Sequence, residues 1–98
     1  MDRFLLLLQA HHLPAPETEV RFHPTRKFRA DYLWRAQMVI VEVNGQIWRK
    51  GGHNTGKGLL RDYEKANAAQ VLGFIYLQFT PQQVETAACL AVLKQVLQ

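Results

Sequence analysis

The chain has 98 residues, 48% of them apolar, and 12 Lys and Arg against 8 Asp and Glu give a formal net charge of +4. That length fits one domain with a thin core, and the apolar share argues against disorder away from the ends. The single cysteine, Cys89, excludes an intrachain disulfide and a cysteine-rich zinc site, while the excess positive charge suits a polyanionic partner.

Residues 2–12 are predicted to form a short helix with Phe4, Leu5, Leu8 and His12 on one face. Its apolar run, Phe4 to Leu8, falls far short of the roughly 20 residues needed to span a membrane. With no small-residue cleavage site in view, a signal peptide is not expected, and a reducing, cytoplasmic setting is. Leu13-Pro14-Ala15-Pro16 stops the helix, since proline lacks an N–H and disfavours a helical residue before it. An extended stretch at Glu19–Phe22 and a turn at His23-Pro24-Thr25 follow.

Phe28–Trp34 reads as a strand, with Phe28, Ala30, Tyr32 and Trp34 alternating with Arg29, Asp31 and Leu33. Arg35-Ala36-Gln37 is short enough for a hairpin. Met38–Asn44 reads as a central strand buried on both faces, one carrying Met38, Ile40, Glu42 and Asn44, the other Val39, Val41 and Val43. Residues 49–58 form a basic, glycine-rich loop. A helix runs from Gly58 or Leu59 to Leu72, with Gly73 as its C-terminal cap. Phe74–Phe79 is another buried strand. Thr80, Pro81 and Gln83 supply the N-cap, first position and capping-box partner of one last helix, with Val84, Ala88, Ala91 and Val92 facing the core. The order is α-β-β-β-α-β-α, an α/β (α+β) arrangement with a mixed central sheet flanked by helices. The unit from 38 to 79 forms a parallel crossover.

A charge in a strand like Met38–Asn44 costs several kcal/mol unless compensated. A hairpin brings Asp31 near Glu42, and the two carboxylates repel unless a cation joins them. With Mg²⁺ they become a hard oxygen site, to which the Val43 carbonyl can add a ligand. The competing reading is that nearby arginines pair with both acids. Lys65 can reach a metal-bound water or a phosphate, or it can form a surface pair with Asp62, three residues away. Asn67 is a candidate or a solvated amide. Glu19 approaches the same metal or stays exposed. His53 contacts phosphate or faces solvent. Trp34 and Trp48 stack on bases or pack in the core. No P-loop, HExxH or GxSxG pattern is present.

The run RFHPTRKFRADYLW, then VIVEVNGQIWRKGGHNTGKG, then DYEKANAAQVLGF…QFT resembles the small PD-(D/E)XK nucleases common in phages and prophages. The likeness covers residues 17–80 and lies in the order and spacing of weak pieces. It implies a restriction-endonuclease-like fold and Mg²⁺- or Mn²⁺-dependent hydrolysis of DNA phosphodiesters, in a bacterium or an infected host cell. By that resemblance Asp31 is the first metal acid and Glu42 the acid of the (D/E)XK element. Val43 adds its carbonyl, and Glu19 is an additional acid. Asn44 stands where the motif lysine belongs, and an amide cannot replace a cation. Relatives with this departure use a lysine from the next helix, which Lys65 matches. Arg26, Lys27, Arg29, Arg49, Lys50, His53 and Lys57 are then expected to hold the DNA backbone. Duplex cleavage needs two active sites, so a homodimer is expected, with the apolar last helix as one candidate interface. Two other readings stay open: a non-catalytic nucleic-acid-binding or junction-recognition module on the same fold, favoured by Asn44, and a structural interaction protein.

Overall fold

The computed structural model describes residues 2–44 and 56–98, in an α+β arrangement with a four-stranded mixed sheet. In chain order the elements are α1 (Arg3–Ala10), β1 (Glu17–Arg21), β2 (Arg29–Trp34), β3 (Val39–Val43), α2 (Gly56–Val71), β4 (Ile75–Phe79), α3 (Pro81–Glu85) and α4 (Cys89–Leu97). The strands lie in the order β1-β2-β3-β4. The first two pairings are antiparallel and β3 with β4 is parallel, so α2 is the crossover between them. Among the described residues no helix is long and apolar enough to cross a membrane.

β3 is central, as its β-branched run VIVEV implies, and its two faces feed two cores. Val39 and Val41 point into the larger one, with Phe4, Leu8, Trp34, Phe79, Leu90 and Leu93. Ile40 points into the smaller one beneath α2, with Phe22, Phe28, Leu33 and Ala69.

Local chemistry sets the helix ends. Asp2 caps α1, its Oδ1 accepting from the Leu5 N–H at 3.0 Å. Its other oxygen accepts from the Tyr32 hydroxyl at 2.7 Å, tying the helix start to β2. His12, expected on the apolar face, lies past the helix in a left-handed conformation and is exposed. The Trp34 indole N–H donates to the Pro14 carbonyl at 2.7 Å and fixes the following linker, so this ring is core rather than a base-stacking platform. α2 ends at Gly73, with φ +95°. Gly73 N–H bonds the Gln70 carbonyl and Phe74 N–H the Ala69 carbonyl, the paired bonds of a glycine C-cap. The capping box at Thr80 and Gln83 forms with Pro81 in the first turn.

Further expectations need correction. β4 is not a buried strand: it lies at the sheet edge, where Ile75 and Gln78 are exposed and only Phe79 is buried. The last helix is not continuous: it breaks after Glu85, and Ala87 adopts a φ of +63°. The break rotates the following turn, so Cys89, Leu90, Leu93 and Leu97 face the core while Ala88, Ala91 and Val92 are exposed. The apolar face of α4 is therefore spent inside the chain. The alternation in β2 also fails. Phe28, Ala30 and Leu33 share the α2-side core, while Tyr32 and Trp34 belong to the other. The switch falls at Asp31, opposite Glu19. Thr18 pairs with Tyr32 and Val20 with Ala30, and Glu19 between them has a φ of +47°. A left-handed glutamate inside a strand is strained, by about 1–3 kcal/mol.

Candidate functional site

The β2–β3 register runs from Trp34–Val39 through Leu33–Ile40 to Tyr32–Val41. One more step would set Asp31 opposite Glu42, but there side chains replace the backbone ladder. Glu42 Oε2 accepts from the Asp31 N–H at 2.7 Å, and Asp31 Oδ2 accepts from the Val43 N–H at 3.2 Å. The two acids are thus each anchored to the other's strand at the end of the ladder. Asn44 continues the other side of β3, its N–H donating to the Phe79 carbonyl at 2.8 Å.

The helix supplies the compensating charge. α2 lays Ala68 and Ala69 on the sheet, with Leu72 just past its end packed beside them. Lys65, three and four residues before the alanines, falls on that same face. Its ammonium donates to Glu42 Oε1, with 18% and 13% of the two side chains exposed. At such burial the attraction is little screened, and removing either partner strands a charge. Glu42 is therefore paired with a lysine of α2, not with an arginine, and Lys65 pairs with Glu42 rather than Asp62. Asp62 and Asn67 are exposed.

A further member has no counterpart in the sequence reading. The Tyr76 hydroxyl donates to Glu42 Oε1 at 3.3 Å. Burial first, then the charge of Glu42 and the hydrogen bond to it, push the phenol above its ordinary range, so it stays a donor. Tyr76 sits opposite Ile40 in the parallel ladder, on the α2 side. A polar-tipped ring in a strand that is otherwise apolar but for Gln78 was the available signal.

The other candidates distribute as follows. Glu19 is exposed at the distortion of β1. Among the described residues no group of three or more His, Cys, Asp and Glu side chains is placed to hold a metal ion, so Glu19 does not complete a triad with Asp31 and Glu42. Arg26, Lys27 and Arg29 are exposed around the β1–β2 connection. Arg49, Lys50, His53 and Trp48, and the side chain of Lys57, lie outside the described residues.

Comparison with known proteins gives no match: no protein-family model, no curated protein and no solved structure matches the chain. The functional reading therefore stands on the residues themselves.

Proposed function

We propose that the chain is a metal-dependent DNA endonuclease that hydrolyses phosphodiester bonds, built on a restriction-endonuclease-like core. The observation that carries this reading is the reciprocal anchoring of Asp31 and Glu42 with Lys65 on Glu42. The antiparallel β1-β2-β3 unit followed by a crossover helix and a parallel strand supports the fold.

The donor types suit a hard divalent cation: Asp31 and Glu42, each bonded to the other's strand, offer carboxylate oxygens, and the Val43 carbonyl would add a third oxygen of the kind Mg²⁺ and Mn²⁺ take. Asp31 and Glu42 would hold the ion, and Glu19, exposed on the neighbouring strand, would be an additional acid. When bound, such an ion lowers the pKa of water and polarises a phosphate. Lys65 then has two duties. It neutralises Glu42 in the resting protein, and it places a positive charge where negative charge develops on the phosphate oxygens. Tyr76 and the Asp31 N–H fix the Glu42 carboxylate. Arg26, Lys27 and Arg29 hold the strand, and a homodimer would supply the second site needed to cut a duplex.

The test is incubation of the protein with supercoiled plasmid and a labelled four-way junction in Mg²⁺, Mn²⁺ or EDTA, beside Glu42→Ala. Metal-dependent nicking is expected. Glu42→Ala should lower it by more than about 100-fold, a loss already reached by groups one layer outside a metal's ligands. A second reading, a non-catalytic nucleic-acid-binding or junction-recognition module, is favoured by Asn44 in place of the motif lysine. Binding that persists in EDTA with no nicking under any metal would establish it instead.

A further inference from the structure

Phe28 is only 2% exposed, yet cations cover its ring. The Arg26 guanidinium carbon stands 4.5 Å from the ring centroid and that of Arg61 5.5 Å, so the two lie within about 10 Å of each other. They arrive from different elements, Arg26 from the β1–β2 connection and Arg61 from α2. We propose that Arg26 and Arg61, stacked on Phe28, form a clamp for a nucleic-acid phosphodiester, one helical turn along α2 from Lys65 and Glu42. The choice of a nucleic-acid strand as ligand rests on the nuclease reading above.

Four observations converge on the clamp. First, two guanidiniums within a Debye length repel, and an anion between them removes that cost. Second, the charge is poorly matched internally. Arg26 has one partner, Glu64, at 3.9 Å with both side chains about half exposed, a pair worth little. Among the described residues no carboxylate lies within ion-pair distance of Arg61. Third, Arg26 is held before any ligand arrives. His23 Nδ1 accepts from the backbone N–H groups of Thr25 and Arg26, at 3.1 and 2.9 Å, and its ring packs edge-on against Phe28 at 6.0 Å. Arg26 is thus fixed at its backbone by His23 and at its head by Phe28. A planar fork so oriented matches two phosphate oxygens at reduced entropic cost. Fourth, Arg61 and Lys65 are four residues apart and share a face of α2. That spacing is comparable to the step between neighbouring phosphates of one strand, so a phosphate at the clamp directs the next toward Lys65. Phe28 itself is too buried to stack on a base, so the site reads backbone and not sequence.

The competing role is cover: the arginine stems shield Phe28 from water. Methionine keeps that cover and removes the charge, so Arg26→Met and Arg61→Met separate the two roles. Binding of a labelled DNA duplex would be measured in EDTA across a salt series, with thermal melts alongside. Lys94→Met, at an exposed position of α4 across the sheet, controls for net charge, and Arg61→Gln serves if Arg61→Met does not fold. Each clamp variant should melt as the wild type does, weaken binding about tenfold, and flatten the salt dependence by about one unit of slope. Lys94→Met should change neither. Unchanged affinity and slope in both clamp variants, an equal loss in Lys94→Met, or no DNA binding by the wild type overturns the clamp. Because EDTA removes cleavage from the readout, the two proposals separate. Clamp variants that bind weakly beside a wild type that never cuts keep the clamp and lose the nuclease. Clamp variants that bind and cut normally do the reverse.

Discussion

The two faces of the sheet are built to different rules. Beneath α1, α3 and α4, the core joins Phe4, Leu8, Val39, Val41, Phe79, Leu90 and Leu93, and its polar contacts sit at the margin, where Tyr32 meets Asp2 and Trp34 meets Pro14. Beneath α2 the core is smaller, and its margin carries the Lys65–Glu42 pair, Tyr76 and two arginines over Phe28. Small residues at the contact, Ala68 and Ala69, let α2 come close enough for lysine to reach a strand carboxylate. One face supplies most of the apolar burial that stabilises the fold, and the other gathers charges that no folding argument requires.

The comparison breaks most visibly at Leu93, which is fully buried on the dry face. Leu93→Ala should cost about 3–4 kcal/mol through lost transfer energy and the cavity left behind. For a domain of this size that lowers the melting temperature by more than about 10 °C. Below the new midpoint the activity per folded molecule should be intact. A specific-activity loss at a temperature where circular dichroism shows the protein folded would mean that the two faces are coupled.

The charged face should answer differently. Removing one member of the Lys65–Glu42 pair, as in Lys65→Met or Glu42→Leu, should cost about 3 kcal/mol because the other charge is left nearly buried. The double variant Glu42→Leu, Lys65→Met should recover to within about 1 kcal/mol of the wild type in urea melts, while remaining inactive. If the double variant is as unstable as the sum of the singles, the pair is no separable unit, and the view that it is kept for chemistry fails.

Much of this division is legible in the sequence, and its limits are physical. Asp31 and Glu42 meet because hairpin register follows from chain spacing, and β3 declares itself by a run apolar on both faces. The Thr80 box and the Gly73 cap are short-range chemistry and appear where expected. What escaped depends on packing at long range. No glycine or proline marks the break at Ala87, and no local signal shows β2 changing faces at Asp31. Tyr76 joins Glu42 across 34 residues, and Arg61 reaches Phe28 only once α2 docks. Local propensity carries no information about such partners.

Tyr76→Phe tests whether Glu42 needs its third donor. The change removes one hydroxyl from a partly buried carboxylate that keeps Lys65 and the Asp31 N–H. A hydrogen bond to a charged group contributes about 1.5–3 kcal/mol, and the 3.3 Å length places this one at the low end. Stability should fall by about 1.5 kcal/mol. If Tyr76 orients Glu42, kcat should fall with KM unchanged; a drop in stability alone would make it structural.

The smallest effect is the most diagnostic of design at this face. Glu19 holds a φ of +47° opposite Asp31, a conformation glycine adopts freely and glutamate does not. Glu19→Gly relieves that strain but frees the unfolded chain, so the net gain should be only about 0.5–1 kcal/mol, read as a small rise in the urea midpoint. Glu19→Ala keeps the strain and should gain nothing. The paired prediction concerns function: if the strain is kept to hold a carboxylate beside Asp31, both variants should weaken Mn²⁺ binding to the same degree. Unchanged Mn²⁺ affinity in both would leave the distortion as a device that only turns β2 from one face to the other at Asp31, and would reduce the proposed metal site to the two acids that the β2–β3 register already brings together.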